Sequence, residues 1–371
     1  MKALITVTSL FFIVLLSGCL GSNNSSIAPT LAFMYAVGPG SNTINGFTEN
    51  SIGDVEALPI PSFATNPRPV SIALHPSKNF LYVPNLTSNT VSGFNIDHTA
   101  GILSPIGTAQ PPTPVQSQPV AAGVNSTGGF LYVLNQGSAS ISVFSIDGTR
   151  GLLTEIAGSP FPTAVNPQSM VVSPTTGFLY VGNGTLGTIS GFSIATNGTL
   201  TQLAGSPFPT EAGATLAGLT IDPKGQFLFA ADSANNAIAS FNIGASGVLT
   251  AVAGSPFAAG TSPLATAVDA NSAFLYAANN VSGNVSAFTI TAGALTPIAG
   301  SPFALVAAGT VSAPQPVFLT VDPSNTFLYV GNAVTNDISV FGIKKTDGTL
   351  GLVTDSPFPE GFTPQWIVIT Q

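Results

Sequence analysis

Charge is scarce in this chain: Asp, Glu, Lys and Arg make up 6% of its 371 residues, and only seven are Lys or Arg. Nucleic acid and anionic lipid headgroups are bound through clustered cations, so a formal net charge of −8 argues against both as partners. Histidine occurs twice, at His75 and His98, and cysteine once, at Cys19, which leaves no ligand set for a zinc site. There is no Gly-x-Ser-x-Gly elbow, no phosphate-cradling glycine loop and no Cys-x-x-Cys pair. The common serine-nucleophile, phosphate-binding and thiol-redox machineries are therefore missing. Helical periodicity is absent beyond the first stretch of the chain. With 44% of residues hydrophobic, the low charge signifies a packed protein rather than a disordered one.

What is present begins with an apolar run. Ala3 to Leu16 carries no charge; it is short for a bilayer span and reads as the core of a secretory signal. Leu16-Ser17-Gly18-Cys19 follows and resembles the lipobox of bacterial lipoproteins. That resemblance implies cleavage before Cys19, lipid on its thiol, and a membrane partner reached through the N-terminal lipid alone. Leu20 and Gly21 stand where retention at the inner membrane would call for Asp, so the expected address is the cell envelope, at the outer membrane or a periplasm-facing membrane surface. Residues 1–18 are then a signal, 19–30 a lipidated Cys with a flexible tether, and 31–371 the folded body. Removing residues 1–18 takes away Lys2 and no acid, so −8 becomes −9.

The body is a repeat. The phrase Phe-Leu-Tyr-Val, or a close variant, opens at Phe33, Phe80, Phe130, Phe178, Phe227, Phe274 and Phe327, every 47 to 53 residues. A second Phe stands fourteen residues after each, at Phe47, Phe94, Phe144, Phe192, Phe241, Phe288 and Phe341. A fixed internal spacing leaves no slack between two paired strands. Each unit reads as four short strands: A, an apolar run after a proline; B, the Phe-Leu-Tyr-Val phrase; C, ending near the second Phe; and D, a Leu-Thr segment. Seven units of four antiparallel strands predict an all-β, seven-bladed β-propeller. The first unit lacks strand A and the chain ends in Pro364-Gln365-Trp366-Ile367-Val368-Ile369 with no strand B after it, so the C-terminal strand is expected to close the N-terminal blade.

Most of the repeated residues read as building parts. All six tyrosines, Tyr35, Tyr82, Tyr132, Tyr180, Tyr276 and Tyr329, hold the third place of strand B, as an amphipathic filler between sheets would. Phe161, Phe208, Phe257, Phe303 and Phe358 end a Ser-Pro-Phe phrase and are expected to plug the gaps between blades. Asn85, Asn135, Asn183, Asp232, Asn279 and Asn332 end strand B. Such a ring of oxygens could bind sugar hydroxyls or a hard cation such as Ca²⁺, or each residue could bond its own turn. Trp366 could stack on a ligand at the central channel or cap the ring.

Repeats such as Phe327-Leu-Tyr-Val-Gly-Asn-Ala-Val-Thr-Asn-Asp-Ile-Ser-Val-Phe341 resemble those of the seven-bladed lactonase-type propellers, 6-phosphogluconolactonase among them, and are similar to the YVTN-type surface repeats. The resemblance implies a ligand site on the face that carries the B–C turns and D–A connections, with His, Arg and Glu expected there in the enzymes. Here His75, Lys78 and Lys224 fall in A–B turns and His98, Arg150, Lys344 and Lys345 in C–D turns, which leaves Arg68 as the cation of the binding face. Glu211, Asp232, Asp337, Asp355 and Glu360 are the acids of that face. The expected function is a membrane-anchored, monomeric binding or interaction module, with an envelope protein or glycan as partner and no cofactor. The alternative is a hydrolase of an uncharged lactone, with Asp232, Asp337 and Arg68 as catalytic candidates and Ca²⁺ as a conceivable aid.

Overall fold

The computed structural model describes residues 30–107, 113–306, 313–359 and 361–370; Cys19, the expected signal before it and most of the expected tether after it, and Glu360 lie outside them. Seven antiparallel sheets follow one another, each in the order A, B, C, D from axis to rim. Blade 3 is representative: Pro119–Val124, Phe130–Asn135, Ser140–Ile146 and Leu153–Glu155. Strand B is buried beyond its opening Phe and, up to its closing Asn or Asp, lacks the polar alternation of a half-wet strand, because neighbouring blades cover the sheet on both faces; every residue of Phe80–Asn85 and Phe327–Asn332 is buried. Strand D is short and exposed after its first leucine, as in Leu200–Gln202, which blunts the outer edge of the sheet. In six blades a further two-residue piece, such as Phe161–Pro162, pairs with the start of strand C. Blade 1 makes the same contact with one bulged strand, Val55–Ala64.

A recurring clasp joins neighbouring blades. Each C–D turn carries a glycine at positive φ, at Gly53, Gly101, Gly151, Gly198, Gly247, Gly293 and Gly348. A Cβ at any of them would come within 2.4 to 2.7 Å of the opening Phe ring of the preceding blade, so both backbone and space require glycine. The carbonyl of that glycine accepts the strand-B tyrosine hydroxyl of the preceding blade: Tyr35 to Gly101 at 2.8 Å, Tyr82 to Gly151 at 2.8 Å, Tyr132 to Gly198 at 3.3 Å, Tyr180 to Gly247 at 2.7 Å and Tyr276 to Gly348 at 3.0 Å. Burial holds these hydroxyls far above the usual tyrosine pKa, so they donate at any physiological pH. Blade 5 has Phe229 instead of Tyr, and Ser240, its neighbour across the B–C pair, donates to Gly293 at 2.7 Å. Tyr180→Phe is expected to cost about 1 to 2 kcal/mol, because it strands a buried acceptor. A urea midpoint equal to that of the parent protein would show the clasp to be idle.

The ring closes at blade 1. Trp366–Thr370 serves as its strand A and pairs with strand B from Phe33↔Thr370 to Val37↔Trp366. The closing chain passes so near Gly38 that a Cβ there would lie 1.7 Å from the Thr363 carbonyl oxygen, which is why blade 1 has glycine at the place of the ring Asn. The clasp is broken at this seam: the Tyr329 hydroxyl has no regular hydrogen-bond partner. Beside it, Glu49 holds the strand-C place taken by Ile96, Ile146, Ile194, Ile243, Ile290 and Ile343 in the other blades. Its side chain is buried and neither carboxyl oxygen has a partner of regular geometry. Burial pushes its pKa up to about 7; the nearby Tyr329 hydroxyl offsets this in part, and the charge of Asp322 adds to it.

Candidate functional site

Strand A of each blade faces the axis, so the innermost residues decide what the centre of the ring can hold. The A strands of blades 3 to 7, with Gln365 and Trp366 of the closing strand, wall an axial channel of about 480 Å³. Its wall is made of small aliphatic residues, Met170, Phe318 and Trp366, with Gln168, Ser169, three threonines and Gln365 as polar groups. No Asp, Glu, Lys, Arg or His is among them. Thr220 Oγ1 donates to the Thr266 carbonyl at 2.6 Å, and Thr266 Oγ1 to Thr220 Oγ1 at 2.9 Å, which ties adjacent A strands together. Trp366 is half-buried and stacks on Phe318 with ring centroids 4.7 Å apart and planes at 29°. One face of the indole is thus already covered by the neighbouring blade.

The ring of oxygens at the end of strand B turns inward to its own blade. Asn85, Asn135, Asn183, Asn279 and Asn332 are fully buried. Each amide donates to a serine hydroxyl on strand C of the same blade: Ser92 at 3.0 Å, Ser142 at 3.0 Å, Ser190 at 2.9 Å, Ser286 at 2.8 Å and Ser339 at 2.8 Å. The Asn85 Oδ1 accepts Thr65 Oγ1 at 2.7 Å, whereas the Oδ1 atoms of Asn135, Asn183, Asn279 and Asn332 have no protein partner. Blade 5 departs twice and consistently. Ala239 stands where the serine would be, and the strand-B residue is Asp232, whose Oδ1 accepts the N–H groups of Thr215, Ala234 and Asn235 at 2.9, 3.2 and 3.3 Å. An amide needs an acceptor on strand C; a carboxylate needs donors and finds them in its turn.

This geometry agrees with comparison to known proteins. A family model described as lactonase, 7-bladed beta-propeller, matches residues 25–166 and 167–312. The chain belongs to the seven-bladed propeller lactonase family. Among solved structures, a Bacteroides uniformis protein with a provisional 6-phosphogluconolactonase assignment is 18% identical, with 91% of this chain and 99% of that one covered and a TM-score of 0.77. A Lactobacillus plantarum protein is 18% identical over 92% and 100% at a TM-score of 0.76, and the Pseudomonas aeruginosa periplasmic gluconolactonase 17% identical over 92% and 99% at 0.75. At such identities the likeness is one of fold. No curated protein matches the chain.

Within this lactonase-family propeller the remaining candidates do not converge on one point. Arg68 is exposed and left-handed, at φ 62°, but Gln118, Asn166, Ser262 and Gln315 share that conformation at the same place in other blades. Its backbone is therefore a property of the repeat: the N–H donates to Asn42 Oδ1 at 3.2 Å, and the carbonyl accepts from Leu86 at 2.9 Å. Asp337, the first residue of strand C in blade 7, is fully buried. Its Oδ1 accepts the Asn332 amide at 2.6 Å and its Oδ2 has no regular partner. Burial raises its pKa, and the Asn332 amide and the nearby Thr335 hydroxyl pull the other way. Glu211 and Asp355 are exposed. Among the described residues no group of three or more His, Cys, Asp or Glu is placed to hold a metal ion, and the ion pairs of Arg150 with Asp147 and of Lys344 with Asp347 are in C–D turns on the opposite face. Glu49 escaped the sequence reading, although a carboxylate in a column of isoleucines was visible there.

Proposed function

We propose that this chain is an extracytoplasmic lactonase-fold propeller, held at the cell envelope by lipid on Cys19, that binds an uncharged envelope ligand, a glycan or a protein surface, at its channel face without turning it over. The observation that carries this reading is the channel wall, which offers hydroxyls, amides and aromatic carbon but no ionisable side chain. Hydrolysis of a lactone needs a base within reach of the attacking water, and a phosphosugar needs several cationic donors around its phosphate. Hydroxyl and amide groups beside stacked rings suit neutral polyols instead. Thr370 pairs beside Phe33 at the A–B side, opposite the face where Trp366 begins its strand, so a lipid tether would join the propeller from the A–B side and leave the D–A face turned away from the lipid.

A second reading rests on Asp337, whose raised pKa and unpartnered Oδ2 suit a general base acting on an uncharged lactone. One assay separates the two: hydrolysis of neutral and phosphorylated gluconolactones by the protein, with and without Ca²⁺, beside Asp337→Asn and Asp232→Ala. The binding module gives no acceleration over buffer with any of them. Turnover that falls at least tenfold in Asp337→Asn, while that variant keeps its thermal midpoint, replaces the first reading by the second.

A further inference from the structure

Six of the seven blade junctions hold a phenylalanine ring from the end of strand D or from the short piece that follows it. Phe63, Phe161, Phe208, Phe257, Phe303 and Phe358 each pair with an Ile or Val of strand C and pack into the core shared with the next blade. The junction of blades 2 and 3 is the exception. Thr113 pairs with Val91 at that register, and among the described residues the core between these blades contains no such ring.

A second cavity, of about 270 Å³, lies at this junction. Tyr82, Val91, Phe94, Ile106 and Leu153 form its apolar wall. Gly93 lines it too, and the comparison with its counterparts identifies the missing part. A Cβ on Gly46 or Gly191, at the same place in blades 1 and 4, would meet the ring of Phe63 at 3.0 Å or of Phe208 at 2.9 Å; on Gly93 it would meet Ile106 and Tyr82 and no strand-D ring. Polar side chains of the wall are engaged within the protein: Thr65 Oγ1 donates to Asn85 Oδ1 at 2.7 Å, Asn66 Nδ2 to Thr90 Oγ1 at 3.0 Å, the Tyr82 hydroxyl to Gly151 at 2.8 Å, and Ser92 Oγ accepts the Asn85 amide at 3.0 Å, with the Thr113 hydroxyl as a further polar group of the wall. A guest therefore gains from buried apolar surface and shape, and a charged guest would find no charged partner in the wall. The backbone course is occupied as well, since Thr113–Pro114 lies along Thr90 and Val91 as the Phe-Pro pieces do elsewhere. The opening is that of a side chain and not of a peptide strand.

We propose that the cavity between blades 2 and 3 is a binding site for a small, uncharged, monocyclic aromatic molecule, standing where the other junctions hold a phenylalanine ring. An apolar protein cavity of about 150 Å³ accepts benzene, so the 270 Å³ here accommodates a ring with a short substituent. The site is separate from the channel and is independent of whether the channel face is catalytic.

Fluorine NMR titration with 4-fluorotoluene tests the proposal. The protein is expected to bind it saturably, with Kd on the order of 1 mM for a ligand of this size, and 4-fluorobenzoate at least tenfold more weakly. Thr113→Phe supplies the missing ring from the chain itself; it is expected to raise the thermal midpoint, as filling a cavity does, and to weaken 4-fluorotoluene at least tenfold. Thr113→Leu, a smaller filling, keeps the test open if the Phe variant does not fold, with at least threefold weakening expected. Absence of saturable binding by the folded parent protein overturns the proposal, and so does undiminished binding by either folded variant.

Discussion

Glu49→Ile raises the stability of the propeller by about 3 kcal/mol at pH 8 and flattens its pH dependence between about pH 4.5 and 7. The expectation follows from a carboxyl group whose pKa is pushed from an ordinary 4.5 up to about 7 in the folded ring, first by burial. Between those values the native state holds a proton that the unfolded chain releases. The stability tied to this proton is therefore whole below about pH 4.5 and is lost as the pH rises through about 7. At about 1.36 kcal/mol for each pKa unit, the difference amounts to about 3 kcal/mol. Isoleucine is the residue of the six equivalent places, so it fits the strand-C geometry and removes the charge. Glu49→Gln separates the two effects, since it abolishes the titration without adding apolar surface. Denaturant midpoints from pH 4 to 8 provide the measurement; parallel profiles for parent and Ile variant would refute the assignment of a buried, high-pKa carboxyl at the seam.

Deletion of residues 364–371 is expected to abolish cooperative unfolding altogether. The deletion removes the strand that pairs with Phe33–Val37 and takes Ile367 and Ile369, 1% and 8% exposed, out of the core between blades 7 and 1. Burying each isoleucine contributes about 1.5 to 3 kcal/mol, and the ladder and the Trp366–Phe318 stack add to that. The sum is on the order of the entire net stability of a folded domain, about 5 to 15 kcal/mol. Strand B of blade 1 would be left as a bare edge facing a gap in the ring, which invites pairing with other molecules. Light scattering and calorimetry should record aggregation and a lost transition. A truncated protein with the parent's melting temperature would contradict closure by this strand.

The architecture was legible in the chain because a propeller leaves no freedom between the opening Phe and the Phe fourteen residues on; each B–C hairpin must bring its two strands into one fixed register. Closure was legible from Pro364 and the missing first strand A. The candidate site was less so, for reasons of direction rather than identity. The place of the ring Asn residues could be read, but not that their amides turn to a serine two residues before the second Phe. The channel wall is built from strand A, whose residues vary most between blades, so its lack of ionisable groups emerged only when six A strands came together. Thr113 and Phe63 lie outside the Ser-Pro-Phe phrase, and only the pairing register shows one as the absence, and the other as the presence, of the same ring.

Blade 5 shows what unit this fold can exchange. Its departures, Phe229, Asp232, Ala239 and Ser240, all lie in the single hairpin Phe227 to Phe241, and each loss is answered by another residue of the same hairpin or its turn, with the Thr215 backbone N–H as a further donor to Asp232. A gene segment encoding that hairpin can be copied into another blade with its polar bookkeeping intact, whereas Phe229 moved alone leaves a glycine carbonyl without its donor, Ala239 moved alone leaves an Asn amide without its acceptor, and Asp232 moved alone sets a carboxylate against a serine hydroxyl in place of an amide. Recombination between copies of such a repeat is thus tolerated in hairpin-sized pieces, and point-by-point homogenisation of the blades is not.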